Sequence, residues 1–236
     1  MSSQSKDWVA YYDSTHSIYV NALHRDVHYT KLAEEIARYV PSSAATVLDY
    51  GCGEALHADR LAAVCKHLTL ADAASSVRAH LLGRFGGIPN IAVASPEQVA
   101  AMPASSFDLI VLHSVSQYLS AQDFDRIAMT FHRLLTPAGL FLLGDVVPPN
   151  VSAMSDALAL LRFGAGNGFF LAALTGLVRT VFSDYWQLRT KLGLTRYDEQ
   201  DMMARLRRLG FAATRAPRNL GHLRSRMTFL ARPTSS

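Results

Sequence analysis

The residues best placed to do chemistry lie in VLDYGCGEA, at 47–55, where Gly51 and Gly53 follow directly on a branched apolar run. Bare backbone there lets a ligand approach more closely than a Cβ allows. Asp49 stands two residues before Gly51, Glu54 follows Gly53, and Asp72, in LTLAD at 68–72, stands nineteen residues past Gly53. A carboxylate at that distance, on the end of a second strand, is placed to accept from both hydroxyls of an adenosine ribose. The loop, with Ala73 beside Asp72, is thus a candidate cradle for a nucleoside cofactor. A dinucleotide fingerprint needs a third glycine, but the frame GCGEAL at 51–56 ends in Leu56. Acids at 49 and 54 repel a pyrophosphate and suit a cation. Cys52 has no base near it in sequence and is expected to be a small residue of the loop rather than a nucleophile.

A second group of candidates surrounds LHSVSQYL at 112–119 and YYDSTHSIYVNALHRDVHY at 11–29. His113 falls at the end of an apolar run facing the same cleft, where a neutral imidazole either takes a proton or contacts the cofactor. Gln117 and Tyr118 are expected to face the group that reacts with the cofactor. His24 and His28, four apart, share a helix face. Without an HExxH glutamate or a third ligand the pair does not make a metal site. Tyr19, His24 and His28 are expected instead to cap an acceptor pocket, with His28 a second candidate for handling a proton.

Positioning these residues requires an alternating α/β chain. Short apolar runs at 46–50, 67–72, 90–94, 107–112, 139–145, 211–215 and 226–231 have strand length. Between them Phe124, Ile127, Ala128, Phe131, Leu134 and Leu135 make a helical stripe ending in Thr136, Pro137, Ala138 and Gly139. Helices are also expected over 56–65, 74–85 and 199–209, and over 20–39 before Pro41. Strands alternating with helices predict a doubly wound, mostly parallel sheet, with the glycine loop at its carboxyl edge. The chain is expected to be one domain: an N-terminal helical cap over 1–42, a cofactor-binding core over 45–146, a helical insertion over 148–197, and a closing helix and strands over 198–236.

The insertion interrupts the alternation. ALALLRFGAGNGFFLAALTGLVR, at 157–179, has no charge from Phe163 to Val178, sixteen residues against the roughly 20 that a bilayer crossing needs. A pair of lid helices over an apolar pocket is therefore expected, bringing Phe163, Phe169, Phe170, Leu171, Leu174, Leu177 and Phe182 to the ligand edge, with Phe169 against the acceptor. The lid is favoured; a homodimer, or peripheral membrane contact through 157–182, are the alternative uses of so much apolar surface. Half of the 236 residues are hydrophobic, enough for a core without staples, and Cys52 and Cys65 suit a reducing cytoplasm. The formal net charge is +4, and eleven Lys and Arg follow residue 188 against Asp198, Glu199 and Asp201. Those arginines adjoin no nucleic-acid module, so a small-molecule substrate is expected, with no nucleic acid.

VLDYGCG (47–53), LAD (70–72), SSFDLIV (105–111) and LLTPAGL (134–140) resemble, in order and spacing, successive motifs of the class I S-adenosylmethionine-dependent methyltransferases. Its sulfonium and ammonium match the acids at the loop. The resemblance implies a seven-stranded Rossmann-like sheet with an antiparallel last hairpin. It implies that Asp49, Gly51 and Gly53 hold the methionine end of S-adenosylmethionine, that Asp72 binds the ribose, and that His113 contacts the cofactor. Two positions depart from the family pattern. Ala55 replaces a further glycine, and in ASPEQV, at 94–99, either Glu97 or Gln98 would meet the adenine, with Ser95 as a polar neighbour. The expected function is methyl transfer to a small, apolar or lipid-like acceptor. A nicotinamide-dependent oxidoreductase, or a methyltransferase-like partner subunit without activity, are the alternatives. The missing third glycine and the lack of a Tyr-x-x-x-Lys pair weigh against the first.

Overall fold

In the computed structural model residues 1–13, 19–181 and 193–234 are described. Seven strands, β1 (Thr46–Tyr50), β2 (His67–Ala71), β3 (Ile91–Ala94), β4 (Phe107–His113), β5 (Leu135–Val146), β6 (Phe211–Arg215) and β7 (Met227–Pro233), form one sheet in the order β3-β2-β1-β4-β5-β7-β6. Strands β1 to β5 pair in parallel, and β7 runs antiparallel to both β5 and β6. This is the doubly wound sheet with a reversed last hairpin. Its chain order turns back between β1 and β4, so a cleft opens at their carboxyl ends.

Period-two alternation explains how both faces are covered. In β4, Leu109 and Val111 face one hydrophobic layer and Ile110 and Leu112 the other; in β5, Leu140 and Leu142 oppose Phe141 and Leu143 in the same way. One layer is dominated by Phe124, Phe131, Phe141, Phe211 and Phe229, the other by Leu61, Leu68, Leu70, Leu81 and Phe85.

The helices are α1 (Ser3–Tyr12), α2 (Ala22–Ala37), α3 (Ala58–Ala62), α4 (Ser75–Phe85), α5 (Pro96–Ala100), α6 (Ala121–Leu134), α7 (Ala153–Gly166), α8 (Phe170–Val181) and α9 (Glu199–Arg208), of which α2 to α6 and α9 pack on these layers. The α6 stripe buries Phe124, Ala128, Phe131 and Leu134, and Ser120 caps its start by accepting from the Asp123 N–H at 3.1 Å. The helix stops at Leu134, before Pro137 rather than in TPAG, and β5 begins at once, four residues earlier than the sequence pattern implies. Leu135 pairs with Phe107, and a register irregularity before Leu109 absorbs the proline, which has no N–H to donate.

The insertion after β5 folds as a helical hairpin. Between α7 and α8 the chain turns through Gly168 at φ +80°, with the Phe169 N–H donating to the Gly164 carbonyl at 2.9 Å. Phe163, Phe169 and Ala173 make a small hydrophobic cluster there, joined by Val20 and Val27. Phe182 lies outside the described residues. Farther on, the Thr195 N–H donates to the Gln117 carbonyl and the Tyr197 N–H to the Val147 carbonyl, both at 2.9 Å.

Helix α1 was not anticipated as a separate element. It lies as a strap over the carboxyl edge. At its start Asp123 accepts from the Ser2 N–H at 2.7 Å and from the Ser5 hydroxyl at 2.8 Å; just past its end Asp13 accepts from the Ser76 N–H of α4 at 2.7 Å. Trp8, 1% exposed, packs its ring 4.5 Å from that of Tyr118. Burial alone would raise the Asp123 carboxyl, but the donors from Ser2, Ser5 and Ser120 hold it well below the carboxylate range.

Candidate active site

A cavity of about 1050 Å³ opens at the carboxyl ends of β1, β2 and β4 and runs beneath α1 and the α7–α8 hairpin. Its floor on one side is the loop after β1. Gly51 and Gly53 have φ of +72° and +56°, a region in which a Cβ is strained, and a side chain at Gly51 would strike Val115 of the loop after β4. The Gly51 N–H donates to the Ala71 carbonyl at 2.7 Å, which clamps the loop to the end of β2. Asp72 accepts from the Gly53 N–H at 3.1 Å and the Ala74 N–H at 2.9 Å, while Arg78 donates to the carbonyls of Asp72 and Ala73 at 2.8 Å. The acidic strand end and the glycine loop are therefore one hydrogen-bonded unit.

Asp49 stands beside Asp72 in this unit. Burial and the Asp72 charge push the Asp49 carboxyl up to about 7, and burial raises Asp72 as well, against its N–H donors. Two carboxylates lining one half-buried end of a cavity are strained without a cation, so the donor set fits a ligand that carries positive charge there. Glu54 does not join them. Its carboxylate turns out to Arg25, at 3.1 Å, while its backbone N–H donates to the Tyr29 hydroxyl at 3.1 Å. The second acid of the site is Asp72, reached through space rather than along the loop.

The other end of the cavity is built from distant parts of the chain. His113 ends β4 and packs against Gly144 of β5, where a Cβ would lie 2.6 Å from its Nδ1. Burial holds this imidazole below its ordinary value, opposed by Asp145 and Glu35. His24, His28 and His222 gather in the same wall, with ring centroids 5.9–6.5 Å apart, and burial keeps all three depressed, His24 and His222 to about 4. These rings are neutral at pH 7. The His222 ring stacks on Phe163 at 4.4 Å and that of His24 on Phe169 at 5.0 Å. Among the described residues no group of three or more His, Cys, Asp or Glu is arranged to hold a metal ion.

Next to His113 the strand ends depart from regular geometry. Ser114 and Asp145 both have positive φ, +56° and +62°, and the Ser114 hydroxyl donates to the Asp145 carboxylate at 2.8 Å. Asn219 donates its side-chain amide to the same carboxylate at 3.3 Å and accepts from the Asp145 N–H at 3.1 Å. Arg226, 5% exposed, donates to Asp156 of α7 at 2.8 Å and lies 3.9 Å from Asp145. Burial opposes its charge, but the two carboxylates prevail and hold it protonated.

A family model for a methyltransferase domain matches residues 48–143, the stretch from β1 to β5 that carries the glycine loop, Asp49, Asp72 and His113. Over that stretch the chain is similar to the class I S-adenosylmethionine-dependent methyltransferases. A Mycobacterium bovis protein described as an uncharacterized methyltransferase is 27% identical over 126 residues, covering 53% of this chain. That match spans 61% of the relative's own length. In fold, the chain resembles the DhpI–SAH complex, with a TM-score of 0.63, 14% identity, and coverage of 99% of this chain and 98% of the other. It also resembles magnesium protoporphyrin IX methyltransferase from Synechocystis PCC 6803 with bound SAM, with a TM-score of 0.61, 12% identity, and coverage of 100% and 99%.

Most residues singled out from sequence line the cavity: Asp49, Gly51, Cys52, Gly53, Asp72, Ala73 and Glu97, with Tyr19, His24, His28, His113, Gln117 and Tyr118. Cys52 is a buried free thiol that burial raises well above its ordinary value, in keeping with a packing role. Ser95 and Phe169 do not line the cavity. Ser95 is the N-cap of α5: its hydroxyl accepts from the Gln98 N–H, and the Gln98 side chain accepts from the Ser95 N–H at 2.7 Å. That capping box also removes Gln98 from the choice at this strand end, leaving Glu97 on the cavity. Phe169 is 3% exposed behind His24. Sequence reasoning missed Trp8 and Tyr12 of the strap, whose Tyr12 hydroxyl donates to that of Tyr118 at 2.8 Å, and it missed Asp145, His222 and Arg226. Asp145 alone had a local signal, an acid at the end of the apolar run GLFLLGD.

Proposed function

We propose that the protein transfers a methyl group from S-adenosylmethionine to a small, apolar acceptor. One observation carries the reading: an Asp49–Asp72 carboxylate pair on left-handed glycines, at the switch point of a parallel sheet, continuous with a chamber of aromatic and neutral imidazole groups. In this reading Asp49 and the glycine loop take the cationic methionine end, Asp72 accepts from the ribose hydroxyls, and Glu97 with Val77 and Val99 flanks the adenine. The bound cofactor supplies an electrophilic methyl on a good leaving group.

What remains for the protein is alignment and exclusion of water, since in-line displacement gains most from fixing the two reactants. Tyr118, Trp8 and Leu160 present an apolar surface to the acceptor. Gln117 and the neutral His113 and His28 offer acceptor nitrogens or oxygens for a proton leaving it. Incubation with S-adenosylmethionine labelled on its methyl and extracted small molecules tests this. Label should appear in an organic-soluble product, and label only in nucleic acid or protein would refute the acceptor class.

A further inference from the structure

We propose that the outer face of the α7–α8 hairpin is a docking surface for an anionic lipid bilayer, a role beyond methyl transfer. Met154 and Leu158 of α7 and Phe170, Leu171 and Leu174 of α8 are 69%, 46%, 44%, 75% and 47% exposed. In α7 the two lie four residues apart, and in α8 the three fall within one turn and a half, so each helix shows one apolar stripe to the outside. The inner side is apolar as well. Leu160 and Gly176 line the cavity, and Phe163, Phe169 and Ala173 make the seam between the helices. A hairpin apolar on both sides gains little from water on either.

Charge decides the partner. Across 157–183 the sequence holds no Asp or Glu. The one acid within the two helices, Asp156, is turned inward on Arg226. Arg162 is exposed beside the apolar stripe, and Arg224 is exposed on the loop that pins α7 through Arg226. A protein partner of mixed charge would find no outward carboxylate on the described residues of these two helices. An anionic headgroup layer needs none, and takes the arginines while the acyl region takes the leucines and phenylalanine. Among the described residues no helix is long and apolar enough to cross a membrane, so the hairpin would lie within the headgroup–acyl boundary. Its inner wall would then give the acceptor chamber a boundary on lipid.

The test is co-sedimentation of the whole protein with vesicles of phosphatidylcholine containing phosphatidylglycerol, and with phosphatidylcholine alone. Binding to the anionic vesicles should exceed binding to neutral ones by about tenfold and fall in high salt. Phe170→Asp/Leu171→Asp/Leu174→Asp should remove it while leaving S-adenosylmethionine affinity and circular dichroism unchanged. Arg162→Glu, a milder surface change, should weaken binding severalfold and guards against misfolding of the triple variant. Equal binding to both vesicle types, no binding to either, or binding that survives both variants would overturn the proposal. So would a concentration-dependent dimer that the triple variant dissolves, which would make this face an interface between copies. The assay uses neither cofactor turnover nor acceptor, so its outcome is independent of the methyl-transfer reading.

Discussion

The two ends of the cavity are made in different ways. At the Asp49–Asp72 end, the hydrogen bonds that join the glycine loop to the end of β2 span short stretches: Gly51 to Ala71, Gly53 to Asp72, Ala74 to Asp72. Backbone geometry does the work, through left-handed glycines and amides closed on one carboxylate. At the His113 end the pieces come from the whole chain: Trp8 and Tyr12 from the strap, His24 from α2, Asp156 from the hairpin, and His222 and Arg226 from before β7. Side-chain packing does the work there. A local, backbone-built end suits a ligand shared by a family, and a composite end suits one that differs between members.

The ends also respond to protons with opposite sign. The Asp49 carboxyl is raised to about 7, so between its unfolded value near 4 and about 7 the folded state binds more protons, and stability falls as pH rises through that window. His24 and His222 are depressed to about 4, so between about 4 and 6.5 the unfolded state binds more protons, and stability falls as pH drops. The Asp49–Asp72 end is thus most comfortable in acid and the His113 end near neutrality.

The largest effect should come from removing the acceptor end's roof. Replacing residues 163–178 with a short polar linker should abolish methyl transfer, measured with labelled cofactor, and leave cofactor affinity within about twofold, since the N–H donors to Asp72 come from Gly53 and Ala74, outside the hairpin. Loss of both together would join what the comparison separates. A middle effect is expected for Asp49→Asn, which removes a charge held at a cost by burial and by Asp72. It should stabilise the free protein by roughly 1–3 kcal/mol at pH 8, discounted for water reaching the group through the cavity. It should also weaken cofactor binding and flatten its pH dependence, since the wild type must release a proton from Asp49 to bind a cation below about pH 7. The smallest is for His222→Phe, which keeps the stack on Phe163 and removes the titration. It should recover about 1–2 kcal/mol of stability at pH 5 and nothing at pH 8, read from denaturant unfolding.

The same contrast governs what the sequence discloses. VLDYGCG and LAD carry the cofactor end because glycines at fixed spacing and an acid at a strand end have few other physical uses together, and the strands that hold them alternate in period two. Glu54 shows the limit: it neighbours the glycines in sequence, yet the left-handed turn at Gly53 sends its side chain to Arg25. Arg226 shows a larger one. Among eleven late basic residues it looks like surface charge, whereas in the fold it is 5% exposed between Asp145 and Asp156. Nothing in its neighbours signals that burial, because both partners lie at least seventy residues away.

The central claim, that the cofactor belongs to the Asp49–Asp72 end and to that end alone, is tested most directly by isothermal titration of S-adenosylmethionine into the wild type, Asp72→Ala and His222→Phe. One molecule should bind per chain, with Asp72→Ala weaker by about 100-fold, the equivalent of one to two lost charge-assisted hydrogen bonds, and His222→Phe unchanged. Unaltered affinity in a folded Asp72→Ala protein, or tighter binding of NAD than of S-adenosylmethionine to the wild type, would contradict the account.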